Sequence, residues 1–153
     1  MDRLSTNITS FDRAVQTTIL WLNDIEEEMD ARNEKDRAYR ATKAVLHAIR
    51  DRLPYETLFH FAANLPMIMK GMLFDGYEPK NKPIRVRSVE DFFDVIQENY
   101  DAQNREMINA DFALQAVVNV FFRRMGPEMH KVAANMPEKI APLFEEKPME
   151  SIA

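Results

Sequence analysis

Hydrophobic residues recur at alternating spacings of three and four along most of this chain, and this period predicts α-helices. The most apolar segment runs from Ile108 to Met125, where nearly every face of a helix would be hydrophobic. A helix that is apolar on all sides packs at the centre of a protein, among other helices. At about four and a half turns it is too short to cross a bilayer. We therefore predict an all-α core centred on this helix.

Further helices are predicted on both sides of this segment. A stripe from Phe11 to Met29 predicts the first helix, and Leu20 and Trp21 lie beside that stripe. Asp36 begins a second helix that ends near Leu53 and buries alanines on one side. Its other side carries polar residues that we expect to be solvated: Arg40, Lys43, His47, Arg50 and Asp51. Prolines, Gly126 and the Ser88–Asp91 capping pair delimit the remaining helices, which brings the total to about eight.

The chain contains an internal repeat. Residues 38–53 and 110–125 share five identities in sixteen positions, and Ala62-Ala63-Asn64 matches Ala133-Ala134-Asn135. Such self-similarity is typical of supersecondary units that bury their apolar faces against each other. We therefore predict one domain over residues 1–153, built from two four-helix pseudo-repeats that share one core. The first repeat spans residues 8–74, a linker spans 75–87, the second repeat spans 88–146, and a tail spans 147–153.

The two repeats differ most in the fourth helix of each. The first repeat has Met67 and Ile68 where the second has Glu138 and Lys139. Phe74 likewise corresponds to Glu145. Burying a methionine or an isoleucine contributes about 1.5–3 kcal/mol, so we expect this extra apolar surface to be covered. Either the linker, through Tyr77, Ile84 and Val86, or a second molecule could cover it. The predicted interaction residues are Leu20, Trp21, Met67, Ile68, Phe74 and Tyr77.

Several longer motifs resemble a family of uncharacterised bacterial proteins. They are Ala44-Val45-Leu46-His47-Ala48-Ile49-Arg50-Asp51-Arg52-Leu53-Pro54, Leu65-Pro66-Met67, and the Tyr77-Glu78-Pro79 segment. The family is catalogued as domain of unknown function twenty-two sixty-seven, and the resemblance covers nearly the whole chain. It implies a duplicated all-helical fold with a globin-like arrangement of helices. It implies no established activity, so it assigns no catalytic or cofactor-binding residue.

Composition and charge narrow the classes of function. The formal charge of −5 argues against general binding to nucleic acid, whose phosphates select basic surfaces. The sequence has no cysteine, which excludes disulfides and thiol catalysis and is compatible with a reducing compartment. No secretory signal pattern is evident in the first thirty residues, so we expect a cytoplasmic protein.

The three histidines are the scarcest reactive groups. His47 lies among basic residues of the second helix, so we interpret it as solvated rather than as a ligand or a base. His60 follows Glu56 by four residues, which is typical of a surface pair, and two ligands alone do not make a tight metal site. His130 aligns with Phe59, so the second repeat offers no matching histidine. We therefore expect no metal, haem or other cofactor.

The linker carries a concentration of positive charge. Its basic residues are Lys80, Lys82, Arg85 and Arg87. They could hold an anion, but the acidic end of the first helix is the simpler partner, in the same chain or in a neighbouring one. We interpret the segment as one that pairs with acidic residues.

These observations favour a non-enzymatic helical interaction or regulatory module that associates with itself, as a homodimer. The alternative is a helical protein that binds a small apolar ligand in a cavity between the two halves. No constellation of residues supports an enzyme. We expect neither nucleic acid nor a membrane span among its contacts.

Overall fold

The computed structural model describes residues 5–31, 33–104 and 107–145, apart from the side chains of residues 103 and 104. Within these ranges the chain is all-α and contains no strand. The α-helices are α1 (Thr9–Glu28), α2 (Lys35–Arg52), α3 (Tyr55–Ala63), α4 (Met67–Phe74), α5 (Val89–Asn104) and α6 (Ala110–Ala134), followed by a 3₁₀ helix (Ala141–Phe144). None of these helices combines the length and the apolar content that crossing a bilayer requires.

The number of helices differs from the prediction, because about eight were expected and the described residues form six α-helices. The expected seventh helix continues α6 across a kink, where Met125 leaves the helical conformation with φ −150° and ψ 52°. Pro127 lies two residues later and cannot donate a backbone hydrogen bond, which accounts for a kink in place of a break. The expected eighth helix is only a turn and the 3₁₀ helix, since Pro137 and Pro142 interrupt the segment.

One apolar cluster forms the core, and α2 and α6 share its centre. Helix α2 packs against α1, α4, α5 and α6, whereas α6 packs against α1, α2, α3, α5 and the 3₁₀ helix. Buried alanines line α2, including Ala38, Ala41 and Ala44, and small side chains let neighbouring helices approach closely. The central position predicted for α6 is therefore shared with α2.

Helix α1 buries its second half more deeply than its first. Leu22 and Ile25 belong to the core, whereas Phe11 is exposed although it begins the predicted stripe. Trp21 is only 7% exposed, and its ring meets the edge of Phe121 at 5.4 Å between ring centroids. Because α6 is apolar on several faces, it can bury residues on both sides of the α1 stripe, and Trp21 is one of them.

The linker is irregular, as predicted, and it is anchored to the body of the protein. The Ile84 N–H donates to the Asp51 carbonyl at 2.8 Å, and the Tyr55 hydroxyl donates to the Pro79 carbonyl at 2.7 Å. Val86 is buried in the core. Asp75-Gly76 is a turn signal in the sequence, and Gly76 has φ +72°, a left-handed conformation that glycine adopts without strain.

The start of α5 follows the predicted capping pair. The Asp91 N–H donates to the Ser88 hydroxyl at 3.0 Å. In return, the Asp91 carboxylate accepts from the backbone N–H of Arg87 at 3.0 Å. These two bonds satisfy donors that a helix amino end would otherwise leave unpaired, and they fix the linker against α5.

Candidate functional site

The outer side of α4 is an exposed apolar surface. Met67 and Ile68 are 67% and 37% exposed, while Met69, Met72 and Leu73 face the core. Met67, Gly71 and Phe74 follow one another at spacings of four and three, so they share one face of the helix. Large methionine and isoleucine side chains on one short helix are a typical mark of an interaction surface.

Neighbouring helices extend this surface. Phe59 of α3 stacks on Phe74, with ring centroids 6.2 Å apart, and Tyr77 meets the edge of Phe74 at 5.9 Å. Phe59 is exposed, whereas Phe74 and Tyr77 are partly buried. The linker therefore covers Phe74 through Tyr77 and leaves Met67 open to solvent.

Helix α1 borders the same surface on the other side. A groove of about 240 Å³ lies between α1 and the start of α4, lined by Ser10, Arg13, Ala14, Thr17, Pro66 and Met67. Leu20, one helical turn beyond Thr17, is also exposed. We call the residues Leu20, Phe59, Met67, Ile68 and Phe74 the apolar face. Trp21 was predicted to belong to this surface, but its burial against Phe121 removes it.

Aligning the two repeats shows that residues of the apolar face correspond to charged residues in the second repeat. In the sequence, Ile8, Phe11 and Val15 align with Val89, Phe92 and Ile96. Extending this alignment along α1 and α5 places Leu20 opposite Asp101. Asp101 is exposed, as are Glu138, Lys139 and Glu145, the equivalents of Met67, Ile68 and Phe74. Four positions that are charged and exposed in the second repeat are thus hydrophobic in the first. Glu138, Lys139 and Glu145 lie in a turn and next to a 3₁₀ helix, whereas Met67, Ile68 and Phe74 belong to an α-helix, so the contrast is one of sequence and of local structure together.

A set of polar side chains from α2 holds the carboxyl end of α4. The Arg50 guanidinium donates to the carbonyl oxygens of Leu73 at 2.9 Å and Asp75 at 3.1 Å. Lys43 reaches the Asp75 carboxylate at 2.6 Å. The last carbonyl groups of a helix lack partners within it, and positive charge is favourable there. We call Lys43, His47 and Arg50 the α4 clamp.

The clamp corrects the prediction that this side of α2 is solvated. Arg50 is only 6% exposed, and its guanidinium pairs with the Asp51 carboxylate at 2.7 Å and lies over the Tyr77 ring. The position equivalent to Arg50 in the second repeat is Phe122, which is also buried. The first repeat thus uses a buried charge where the second uses an aromatic ring, because only the first has a well-formed fourth α-helix to hold.

His47 is a structural member of the clamp and is not solvated. Its Nε2 lies 2.8 Å from the Met72 carbonyl oxygen. A carbonyl oxygen only accepts hydrogen bonds, so Nε2 carries the proton and donates. Burial, together with the charge of the neighbouring Arg50, lowers the pKa of His47 below its ordinary value. This histidine is therefore neutral at pH 7 and supports α4.

The acidic end of α1 finds its partners within the described chain, but not in the linker. Asp24 pairs with Arg124 at 2.6 Å, and Glu28 pairs with Arg123 at 3.3 Å. Glu26 is largely buried and accepts both from Lys35 and from the Glu34 N–H, each at 2.9 Å. The hydrogen bond from Lys35 is the main cause of the lowered pKa of the Glu26 carboxyl. The predicted pairing of this end with the basic linker is not formed within the described residues.

The basic linker residues lie on the surface of the protein. Lys80, Arg85 and Arg87 are exposed, and Lys82 is partly buried. Their side chains form no hydrogen bond or ion pair with the part of the chain that the structure describes. Four positive charges close together in an acidic protein therefore remain available to another molecule.

The other two histidines are not part of the α4 clamp. His60 and Glu56 are exposed on α3, and His130 lies edge-on to Phe122 at 5.3 Å between ring centroids. Among the described residues, no group of three metal-ligating side chains comes together.

A second groove lies between elements of the two repeats. It has a volume of about 220 Å³ and is lined by Met29, Asp30, Ala31, Glu34, Arg37, Ile108, Asn109 and Phe112. Its walls are partly apolar, and charged side chains lie around them. The volume is below the roughly 300 Å³ of typical ligand pockets.

The clamp and the buried Glu26 were missed by sequence reasoning. Lys43, His47 and Arg50 recur at four and three positions, which marks them as one face of α2. The spacing alone does not distinguish a solvated face from one that caps another helix. Contact with α4 decides the difference, and that contact depends on the tertiary fold.

Comparison with known proteins places the chain in a family. The family model described as "Uncharacterized conserved protein (DUF2267)" matches residues 19–143. No curated protein matches the sequence significantly. The matched region runs from the second half of α1 to the 3₁₀ helix and so includes the clamp and the whole apolar face. The chain therefore belongs to the DUF2267 family of uncharacterized conserved proteins.

Proposed function

We propose that this protein is a non-enzymatic helical interaction or regulatory module that associates with itself through the apolar face. The observation that carries the proposal is the exposure of Met67 and Ile68 at positions where the second repeat has Glu138 and Lys139. Full burial of a methionine or an isoleucine contributes about 1.5–3 kcal/mol, and the exposed parts of these two side chains forgo a corresponding share of it. Association of two apolar faces recovers part of that free energy.

A second copy of the chain fits this face because the face is complementary to itself. Met67 and Phe74 lie at the two ends of the exposed side of α4, and Gly71 lies between them. A Cβ atom at Gly71 would meet nothing within 4 Å, so the middle of the helix is open to close approach. In a twofold contact, antiparallel α4 helices that cross at Gly71 place Met67 of each copy against Phe74 of the other.

Helix α4 alone is too short to form this contact. Eight residues span about 12 Å, whereas stable dimers bury about 600–1,000 Å² on each subunit. Leu20 and Phe59 on the neighbouring helices supply additional apolar area. The clamp contributes indirectly, since it fixes α4 and thereby the shape of the face.

The proposal is tested by giving the first repeat the residues of the second. The double change Met67→Glu with Ile68→Lys places charge on positions that are exposed, so the variant is expected to stay folded. Because burying these charges without partners at the contact costs free energy, the variant is expected to be monomeric in multi-angle light scattering at about 1 M salt, at concentrations where the native protein is dimeric.

Met107→Glu is the matched control, because Met107 is 78% exposed and lies outside the apolar face. It is expected to leave association unchanged. A native protein that is monomeric up to high concentration, or a double variant that associates as strongly as the control, would show that the face is merely tolerated surface.

A second candidate function rests on the groove between the repeats. Met29, Ala31, Ile108 and Phe112 give it partly apolar walls, which favours a small apolar ligand. Native mass spectrometry of protein purified from its own cells tests this alternative. A bound small molecule that is lost on Phe112→Glu supports it, and a chain without added mass argues against it.

We also propose that the two halves are pseudo-repeats in three dimensions. Burial supports this proposal: Ala41, Ala44 and Val45 are buried, as are their equivalents Ala113, Ala116 and Val117. Hydrogen bonds support it as well. The Asn64 side chain donates to the carbonyl four residues earlier at 3.0 Å, and Asn135 does the same at 2.8 Å. Superposition of residues 36–74 on 108–145 is the test, and unrelated paths of the backbone would contradict it.

The globin-like arrangement and the cytoplasmic location remain proposals of the same kind. Helix crossing angles measured against globins test the arrangement. A fluorescent fusion followed in its own cells tests the location, and accumulation outside the cytoplasm would contradict it.

A further inference from the structure

The basic linker forms a strip that is held in place although its side chains are exposed. The strip consists of Lys80, Lys82, Arg85 and Arg87. Ile84 and Val86 alternate with the two arginines and pack against the core, so Arg85 and Arg87 project outwards. The backbone bond from Ile84 to Asp51 at 2.8 Å fixes this register. The strip is therefore positioned by the fold and does not depend on an ion pair within the described chain.

An exposed acidic stripe begins three residues after the strip. Glu90, Asp94, Glu98 and Asp101 lie at spacings of four, four and three along α5, so they share one face of that helix. All four are exposed, and α5 contains no lysine or arginine. Within the described part of the chain, none of the four side chains has a hydrogen bond or an ion pair. Like charges four residues apart repel, so positive charge over this stripe stabilises α5.

The strip cannot neutralise most of the stripe of its own chain. The Ser88–Asp91 cap joins the two elements rigidly, and α5 then leads away from the linker. Asp101 lies eleven residues beyond Glu90, which is about 17 Å along the helix axis. Within the described part of the chain, the far half of the stripe therefore has no basic partner. Three acids at the end of α1 are already paired, with Arg123, Arg124 and Lys35, so this segment offers the strip fewer unpaired charges than the α5 stripe does.

We infer that the basic strip of one copy docks on the acidic stripe of α5 in a second copy. Because each copy carries both surfaces in a fixed relation, one twofold contact satisfies both at once: the strip of each faces the stripe of the other. This contact uses residues outside the apolar face and goes beyond the self-association proposed above. Exposed ion pairs are individually weak, so the contact forms at low ionic strength and is lost in concentrated salt.

Charge exchange tests the inference. One variant carries Arg85→Glu with Arg87→Glu, which brings the strip from a charge of +4 to zero. The other carries Asp94→Lys with Glu98→Lys, which brings the stripe from −4 to zero. Both variants also carry Met67→Glu with Ile68→Lys, so that the apolar face does not contribute to association. A failure of the strip–stripe contact is thereby distinguished from a failure of association through the apolar face. Sedimentation velocity at about 0.01 M and about 1 M salt reports association.

The background protein is expected to associate at low salt and to dissociate at high salt. Each charge variant alone is expected to be monomeric at both salt concentrations, because a strip or a stripe without net charge no longer attracts its counterpart. A one-to-one mixture is expected to restore association, at least about tenfold tighter than either variant alone. A control with Glu27→Lys and Glu138→Lys, two exposed acids outside α5, is expected to behave as the background. A background monomer at low salt, or a mixture no tighter than its components, would overturn the inference.

Discussion

At the scale of single residues, the α4 clamp makes the strongest predictions. Arg50 is buried, and its guanidinium serves two carbonyl groups and one carboxylate. Removal of a buried charged partner leaves the remaining groups without hydrogen bonds, which is costly in the protein interior. Arg50→Ala is therefore expected to lower the free energy of unfolding by about 2–4 kcal/mol, measured by urea denaturation.

Arg123→Ala is the matched control for Arg50→Ala. Arg123 pairs with Glu28 at 3.3 Å, but its side chain is exposed, and exposed pairs contribute at most about 1 kcal/mol. If Arg50→Ala and Arg123→Ala lost equal stability, Arg50 would contribute no more to stability than an exposed ion pair does.

His47 gives the clamp a dependence on pH. Burial lowers its pKa in the folded protein below the ordinary value of 6.5, so the unfolded chain binds a proton first as the pH falls. The stability gained from a neutral His47 is complete above pH 6.5. It is lost as the pH falls from there through the folded pKa.

His47→Gln is expected to flatten the stability profile between about pH 5 and pH 7, because glutamine keeps a donor but does not titrate. Charged groups that face His47, namely Lys43, Arg50 and Asp51, are retained in this variant. Denaturation midpoints measured across this range provide the test. A variant that loses stability on acidification as steeply as the native protein would place the titrating group elsewhere.

At the scale of elements, α4 is expected to become more stable when Gly71 is replaced by alanine. The glycine lies inside the helix with a Cβ position open to solvent. Replacing it by alanine reduces the conformational freedom of the unfolded chain without strain in the folded one. Gly71→Ala is therefore expected to raise the free energy of unfolding by about 0.4–1 kcal/mol in the Met67→Glu, Ile68→Lys background at about 1 M salt, where that background is monomeric, measured by thermal denaturation. A loss of stability in that background would mean that α4 is not helical at this position.

The ends of α3 and α6 provide a test of the repeat. Asn64 and Asn135 each donate to a carbonyl four residues earlier, and both are exposed. Because the two bonds occupy equivalent positions, Asn64→Ala and Asn135→Ala are each expected to cost about 0.5–1.5 kcal/mol and to agree closely. Denaturant titration of the two variants side by side gives the comparison. A loss of stability at one site and none at the other would show that the two positions are equivalent in sequence but not in structure.

At the scale of the whole molecule, periodicity was enough to predict the all-α class and the approximate places of the helices. The Ser88–Asp91 cap and the turn at Gly76 were also readable, because their signals are local. The conformation of the last segment could not be predicted from the sequence. Its two prolines, five residues apart, are compatible with either a short α-helix or a 3₁₀ helix. Burial of Trp21 depends on α6, and burial of Arg50 depends on α4, so neither follows from one helix alone.

The candidate site was predicted in part. The contrast between Met67 and Glu138 was visible once the repeats were aligned, and the structure places Met67 on the surface. Coverage of Phe74 by Tyr77 and the open position of Met67 required three-dimensional contacts. Pairing of the acidic end of α1 with Arg123 and Arg124 also spans about a hundred residues of sequence, beyond the reach of local patterns.

The central claim is that two copies meet through α4, and a single cysteine tests it most directly. The native chain has no cysteine, so Gly71→Cys introduces one thiol at the proposed twofold axis, with room for its Cβ. Disulfide formation requires Cα atoms about 4.4–6.8 Å apart, which restricts it to close approach. Under mild oxidation, Gly71→Cys is expected to give a covalent dimer on a non-reducing gel, while Met107→Cys stays monomeric. Equal and slow cross-linking of the two variants would contradict the claim.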